Sequence, residues 1–144
     1  MSYRKGIATV VSDKTDMGEK WGEKVAKRGF AQSPNYLLFI NQFLDEDNRL
    51  SPLELLLLIQ ISAAWWRRSE MPFPSVRTLA SRCGASERQV LRALAALEGA
   101  GFVKRVKRRD KGLIAANAYD LSPLVEKLEA VAEVFPNAFP RSIR

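Results

Sequence analysis

The sequence predicts a mainly α-helical domain that carries one small β-hairpin, and three observations lead there. An apolar run, LELLLLIQISAAWW (residues 53–66), is hydrophobic nearly all round, as a central buried helix should be. Downstream, two shorter helical periods are separated by Gly84 in LASRCGASERQVLRALAALEGAGF (79–102). Beyond Gly99-Ala100-Gly101 the period changes, and FVKRVKRR and LIAANAYDL flank Asp110-Lys111-Gly112 as the arms of a hairpin.

Length and composition bound the reading. The chain has 144 residues, 47% of them hydrophobic, which suits one domain with its own core. It has no histidine and one cysteine, Cys83, so an intrachain disulfide and a zinc site of the usual Cys/His kind are excluded. Cysteine usage of this kind points to a reducing compartment. No apolar signal-peptide segment opens the chain. The run at 53–66 is interrupted by Glu54, Gln60 and Ser62 and is shorter than the roughly 20 residues a membrane span needs. The net charge is +7, and its placement is informative: residues 75–112 hold ten basic side chains against three acidic ones, while the rest of the chain balances. A one-sided excess confined to one segment is the footprint of a polyanion site.

Each element has a local signal. Residues 1–32 read as an N-terminal arm with one charged helix: 1–14 show no period, and Asp16 with Glu19 has capping-box spacing for a helix ending near Gly29. Its apolar stripe of Met17, Trp21 and Val25 is thin, so that helix needs a partner surface. Ser33 and Pro34 offer an N-cap and a first-turn proline to a short helix, NYLLFINQFL (35–44). After the acidic turn DEDNR, Ser51 and Glu54 form a second capping-box pair with Pro52 between them. The apolar helix they open is expected to run to Trp66 and to end on Arg67 and Arg68. Met71-Pro72-Phe73-Pro74 breaks the chain, and Ser75 caps VRTLASR (76–82), which turns Val76, Leu79 and Ala80 inward. Gly84 supplies a left-handed turn, and Ser86 with Gln89 caps the next helix, whose inner stripe is Val90, Ala93, Leu94 and Leu97. Asp120-Leu121-Ser122-Pro123 opens a last helix with Leu124, Leu128, Val131 and Phe135 along one side. The main domain is thus expected over 33–135, with PNAFPRSIR (136–144) as an irregular tail.

Helix, glycine turn, helix and hairpin is the order of the winged helix-turn-helix family, and LASRCGASERQVLRALAALEGAGFV (79–103) resembles it. Ala80, Gly84, the apolar Leu79, Cys83, Ala85, Val90 and Ala93, and Gly101-Phe102-Val103 fall where that fold needs them. A narrower resemblance runs from about Gly29 to Glu129. GFAQSPNYLL, the apolar helix ending in Trp65-Trp66, the helix-turn-helix and NAYDLSPLVEKLE follow one another as in the DNA-binding domains of phage and plasmid replication proteins, such as phage replication protein O. Those proteins continue into a second domain whose activity is not carried over here.

The resemblance implies that the second helix enters a major groove with its N-terminal residues at the base edges. Arg88, Gln89 and Arg92 are then the base readers, since arginine pairs with guanine O6/N7 and glutamine with adenine N6/N7. Ser86 and Glu87 stand beside them; Glu87 either accepts from cytosine N4 or simply favours the helix N-terminus. The hairpin supplies phosphate contacts through Lys104, Arg105, Lys107, Arg108, Arg109 and Lys111, with Ser75 and Arg77 as backbone clamps. Six neutralised phosphates would give a log–log salt slope near −5, on the order of 0.9 per phosphate.

No nucleophile–base pair, phosphate-binding glycine loop or metal-ligand spacing is visible, so neither enzyme activity nor a cofactor nor a metal is expected. Cys83 fills an apolar position and reads as inert, and Trp65-Trp66 reads as the end of the core helix. Leu124, Leu128, Val131 and Phe135 either close the domain or meet a second subunit, the latter favoured because two-fold pairing lengthens the DNA site. The expected partner is double-stranded DNA, bound as a homodimer or higher assembly in a bacterial cytoplasm, with no membrane and no small-molecule ligand. Three roles compete: a repressor of a plasmid, phage or other mobile element, a replication or segregation protein on repeated sites, and a protein adaptor. The charged segment argues against the third.

Overall fold

One helix organises the core, and its own sequence explains why. Helix α4 (Pro52–Ala63) buries Leu57, Leu58 and Ile61 completely. Its start is fixed twice over: Ser51 Oγ accepts from Glu54 N (3.2 Å), and Glu54 Oε1 accepts from Ser51 N (2.9 Å), with Pro52 in the first turn. The structure, a computed structural model, describes residues 16–110 and 113–139, with the backbone alone for 110 and 113–116. The expected arm before residue 16, Lys111 at the hairpin tip and the tail from residue 140 lie outside the described residues.

The chain divides into two units, residues 1–31 and 32–144. In the first, the single charged helix expected from the sequence is two short ones, α1 (Asp16–Trp21) and α2 (Glu23–Ala26). Gly22 between them takes φ 93°, which no continuous helix accommodates. Asp16 lies in the first turn of α1 rather than capping it, and Met17, Trp21 and Val25 are exposed.

In the second unit, α3 (Asn35–Leu38) is a single turn that passes into a 3-10 turn at Ile40–Gln42, shorter than the expected helix. Pro34, not Ser33, occupies the cap position, and no side chain caps it. Leu37 and Ile40 nevertheless reach the core with no exposure. Asn41 holds the following acidic loop in place: its amide donates to Leu50 O (3.0 Å) and its Oδ1 accepts from Leu50 N (2.8 Å). Asp45, Glu46 and Asp47 stay in solvent.

Helix α4 ends at Ala63, before the expected Trp66. Its last turn tightens through bonds three residues apart, Ala64 N to Ile61 O and Trp65 N to Ser62 O. Trp65 packs on the core while Trp66 is 80% exposed, since two adjacent indoles cannot both turn inward. Arg67 and Arg68 therefore sit past the helix, where Glu70 N donates to Arg67 O (3.1 Å).

Helix α5 (Val76–Cys83) is capped by Ser75 and ends at Gly84, whose φ of 67° is left-handed. Ala85 N reaches back to Ala80 O (3.0 Å), closing the turn. Helix α6 (Glu87–Gly99) follows, with Val90, Ala93, Leu94 and Leu97 buried. Phe102 and Val103 are buried before the first strand rather than within it.

Strands β1 (Lys104–Asp110) and β2 (Leu113–Asp120) pair antiparallel from Lys104–Asp120 to Asp110–Leu113, with a register shift between Lys107 and Arg109. Tyr119, 1% exposed, ties β2 to the proline-rich link before α5 by donating its N–H to Pro72 O (2.9 Å). Helix α7 (Ser122–Val134) starts where Asp120 Oδ1 accepts from both Ser122 N (2.9 Å) and Ser122 Oγ (2.7 Å). The segment after it, though irregular as expected, is docked: Phe139 packs against Tyr36 and Phe39, and Phe135 against Phe43. Tyr36 Oη donates to Phe135 O (2.6 Å). This is a winged helix-turn-helix fold, mostly helical with a two-stranded wing. Among the described residues no helix is long and apolar enough to cross a membrane.

Candidate nucleic-acid interface

Helix α6 carries two stripes on opposite sides. Its inner one is the buried Val90, Ala93, Leu94 and Leu97. At about 100° per residue, Arg88, Leu91, Arg92 and Ala95 form the same i, i+3, i+4, i+7 pattern about half a turn away. All four are exposed. Among the described residues neither Arg88 nor Arg92 makes an ion pair, so both guanidinium groups keep their donors for a ligand.

The remaining expected readers are partly committed to the helix start. Ser86 Oγ accepts from Gln89 N (3.1 Å), and Gln89 Oε1 accepts from Ser86 N (2.9 Å). Gln89 thus keeps its amide NH2 and one lone pair on Oε1, the groups that bidentate pairing with adenine uses, while the cap restrains where they point. Glu87 lies in the first turn, where its charge favours the helix dipole, and is exposed. Gln89 and Arg92 also line a groove with Ser51, Leu53 and Glu54 at the start of α4, so α6 is flanked there by a second helix N-terminus.

The wing divides its cations between scaffold and surface. Arg105 is a strut: its backbone N–H donates to Glu98 Oε2 (3.0 Å), its Nε to Glu98 Oε1 (2.9 Å), and its Nη2 lies 2.8 Å from the same oxygen. Those bonds hold the Glu98 carboxyl below its ordinary pKa against the opposing effect of burial, with lesser help from the Arg105 and Lys104 charges. Arg108, at the register shift, stacks on Phe73 with its guanidinium carbon 3.8 Å from the ring centroid. Lys104, Lys107 and Arg109 are the exposed cations of β1. The sequence missed both commitments: Glu98 and Phe73 signal them only once the hairpin register is known.

Before the motif, Arg77 is exposed at the first turn of α5. Ser75 is not a free clamp, because its Oγ accepts from Thr78 N (3.0 Å) and donates to Thr78 Oγ1 (2.9 Å). Cys83 packs against the core, and burial raises its thiol pKa, which disfavours the reactive thiolate. The stripe on α7 splits. Leu124, 3% exposed, belongs to the core and is not available to a second subunit, while the partly buried Leu128 packs against that core. Phe135 lies past the helix end, against Phe43.

Residues 48–103, from the acidic turn to the strand that begins the wing, match the family model described as a helix-turn-helix domain. No curated protein matches the chain. The match spans α4, α5, α6 and Gly84, the same elements that place Arg88 and Arg92 outward. Residues 48–103 are thus similar to helix-turn-helix domains, and the two-stranded wing follows them directly.

Proposed function

We propose that the protein is a sequence-specific double-stranded DNA-binding regulator, a repressor of a plasmid, phage or other mobile element, and a binding protein rather than an enzyme. The observation that carries this reading is the outward face of α6, where two arginines stand without a protein partner on a helix capped at its N-terminal end. Arg88 and Arg92 suit guanine O6/N7 in a major groove, and the exposed Lys104, Lys107 and Arg109 suit adjacent phosphates. With Arg77 and Lys111, placed at the hairpin tip by the sequence, these make five phosphate candidates, for a log–log salt slope of about −4.5. That is shallower than six wing cations would give, because Arg105 and Arg108 are occupied within the domain.

The second reading, a replication or segregation protein that assembles on repeated sites in a bacterial cytoplasm, is favoured by the order of motifs between Gly29 and Glu129. Site layout separates the two. Footprinting on the DNA flanking the gene should reveal one inverted repeat over a promoter for a dimeric repressor, or several direct repeats for an array. A homodimer on an inverted repeat would draw on Val131, together with the exposed Val134, since Leu124 and Leu128 face inward. Binding that shows no sequence preference in competition with random DNA would sink both readings.

A further inference from the structure

The outward stripe of α6 holds one residue that the charge pattern does not account for. Leu91 is 47% exposed, although the inner stripe of the same helix is fully supplied with apolar side chains. Single exposed leucines are common on protein surfaces. This one stands between Arg88 and Arg92 on a face with no other large apolar group, followed one turn later by Ala95. It makes no use of the wing, whose strut runs from Glu98, two turns further along the helix.

Major-groove base edges are hydrogen-bonding groups with one apolar exception, the C5-methyl of thymine. A leucine between two arginines would oppose unsatisfied donors and acceptors at any other base. From Arg88 to Arg92 the helix rises about 6 Å, close to two base-pair steps of about 3.4 Å each. A side chain between them therefore falls within about two base pairs of an arginine-read guanine. We infer that Leu91 is a specificity-determining residue that reads a thymine methyl group beside a guanine in the cognate site. The inference rests on the sequence-specific DNA-binding reading above and deepens it.

The test starts from a duplex selected from random sequence by the wild-type protein, in which each thymine is replaced singly by deoxyuridine. That exchange removes one methyl group and leaves every hydrogen-bonding group in place. One thymine, within two base pairs of a guanine whose contact Arg88→Ala or Arg92→Ala loses, should weaken wild-type binding about fourfold when replaced, the worth of one buried methyl group. Leu91→Ala should weaken binding to the thymine duplex by a similar or larger factor and bind the thymine and deoxyuridine duplexes equally. Leu91→Met, which keeps an apolar reach, should retain a measurable preference. Because Leu91 is outside the core, the melting temperature of Leu91→Ala reports directly that the fold is intact. If Leu91→Ala keeps the wild-type thymine preference, or no thymine shows one, the inference falls while sequence-specific binding stands. If the selection enriches no sequence at all, the DNA-reading proposal falls, and this inference with it.

Discussion

Helix α6 and the wing carry the same kind of side chain under opposite conditions. On α6, Arg88 and Arg92 project from a rigid, capped helix and touch no acidic group among the described residues. On β1, Arg105 is bonded three ways to Glu98, and Arg108 lies on the ring of Phe73. The arginines of one element have no acidic partner among the described residues, while two on the other are engaged within the domain. Counting cations along the sequence treats them alike; only their neighbours separate recognition from support.

Mutations should widen or erase that contrast. The largest effect is expected for Arg92→Ala or Arg88→Ala, each costing about 1–3 kcal/mol at the cognate site. Competition binding should show little change on random DNA; equal losses on both would make these arginines mere phosphate contacts. Next comes the combined Lys104→Ala, Lys107→Ala and Arg109→Ala variant. It should weaken all sequences alike and reduce the log–log salt slope by about 3. A slope that does not move would remove the wing from the interface.

Arg105→Ala should do the reverse of that triple variant, with the salt slope almost unchanged and folding stability reduced by about 1 kcal/mol. A full unit lost from the slope would show that Arg105 leaves Glu98 for a phosphate. The same strut gives a pH dependence. Glu98 has a folded-state pKa below its ordinary value, so its stabilising effect is complete above the unfolded pKa of about 4.3 and is lost as pH falls through the folded value. Asp120, lowered by its two bonds from Ser122, acts in the same direction. Thermal melts should therefore fall off on the acid side, and Glu98→Gln with Asp120→Asn should flatten that limb. The smallest effect is expected for Phe73→Leu, which removes a ring stacked on a partly exposed arginine and should cost about 0.5–1 kcal/mol. No change in the melt would reduce that stacking to proximity.

Much of the fold was legible because its signals are local. Ser51 with Glu54, and Ser86 with Gln89, are capping boxes at the expected positions. Gly84 has the left-handed geometry its place between two helices demanded. What could not be read was long-range. Gly18 and Gly22 are equally poor helix formers in the same charged stretch, so only the backbone reveals that the helix breaks at Gly22 and not at Gly18. Phe139 looked like part of a loose tail, yet it docks on aromatic residues a hundred positions earlier. At the site, the positions of Arg88, Arg92 and Arg109 followed from period and motif. The caps that engage Ser75 and Gln89 follow from the very signals that define those helices; they take up the Ser75 hydroxyl and restrain the Gln89 side chain. The sequence does not single out Leu91, because an apolar residue on an amphipathic helix is assigned inward by default.

The root of the wing is fixed before any DNA arrives: Glu98 grips Arg105, Pro72 accepts from Tyr119, and Phe73 underlies Arg108. Docking then has little of this segment left to order, which spares part of the entropy a folding-on-binding arm would lose. In the proposed complex, encounter would be left to long-range attraction between the basic face and the phosphates, which differs little from one sequence to another. Preference among sites should accordingly appear as differences in how long the protein stays, with arrival rates nearly alike.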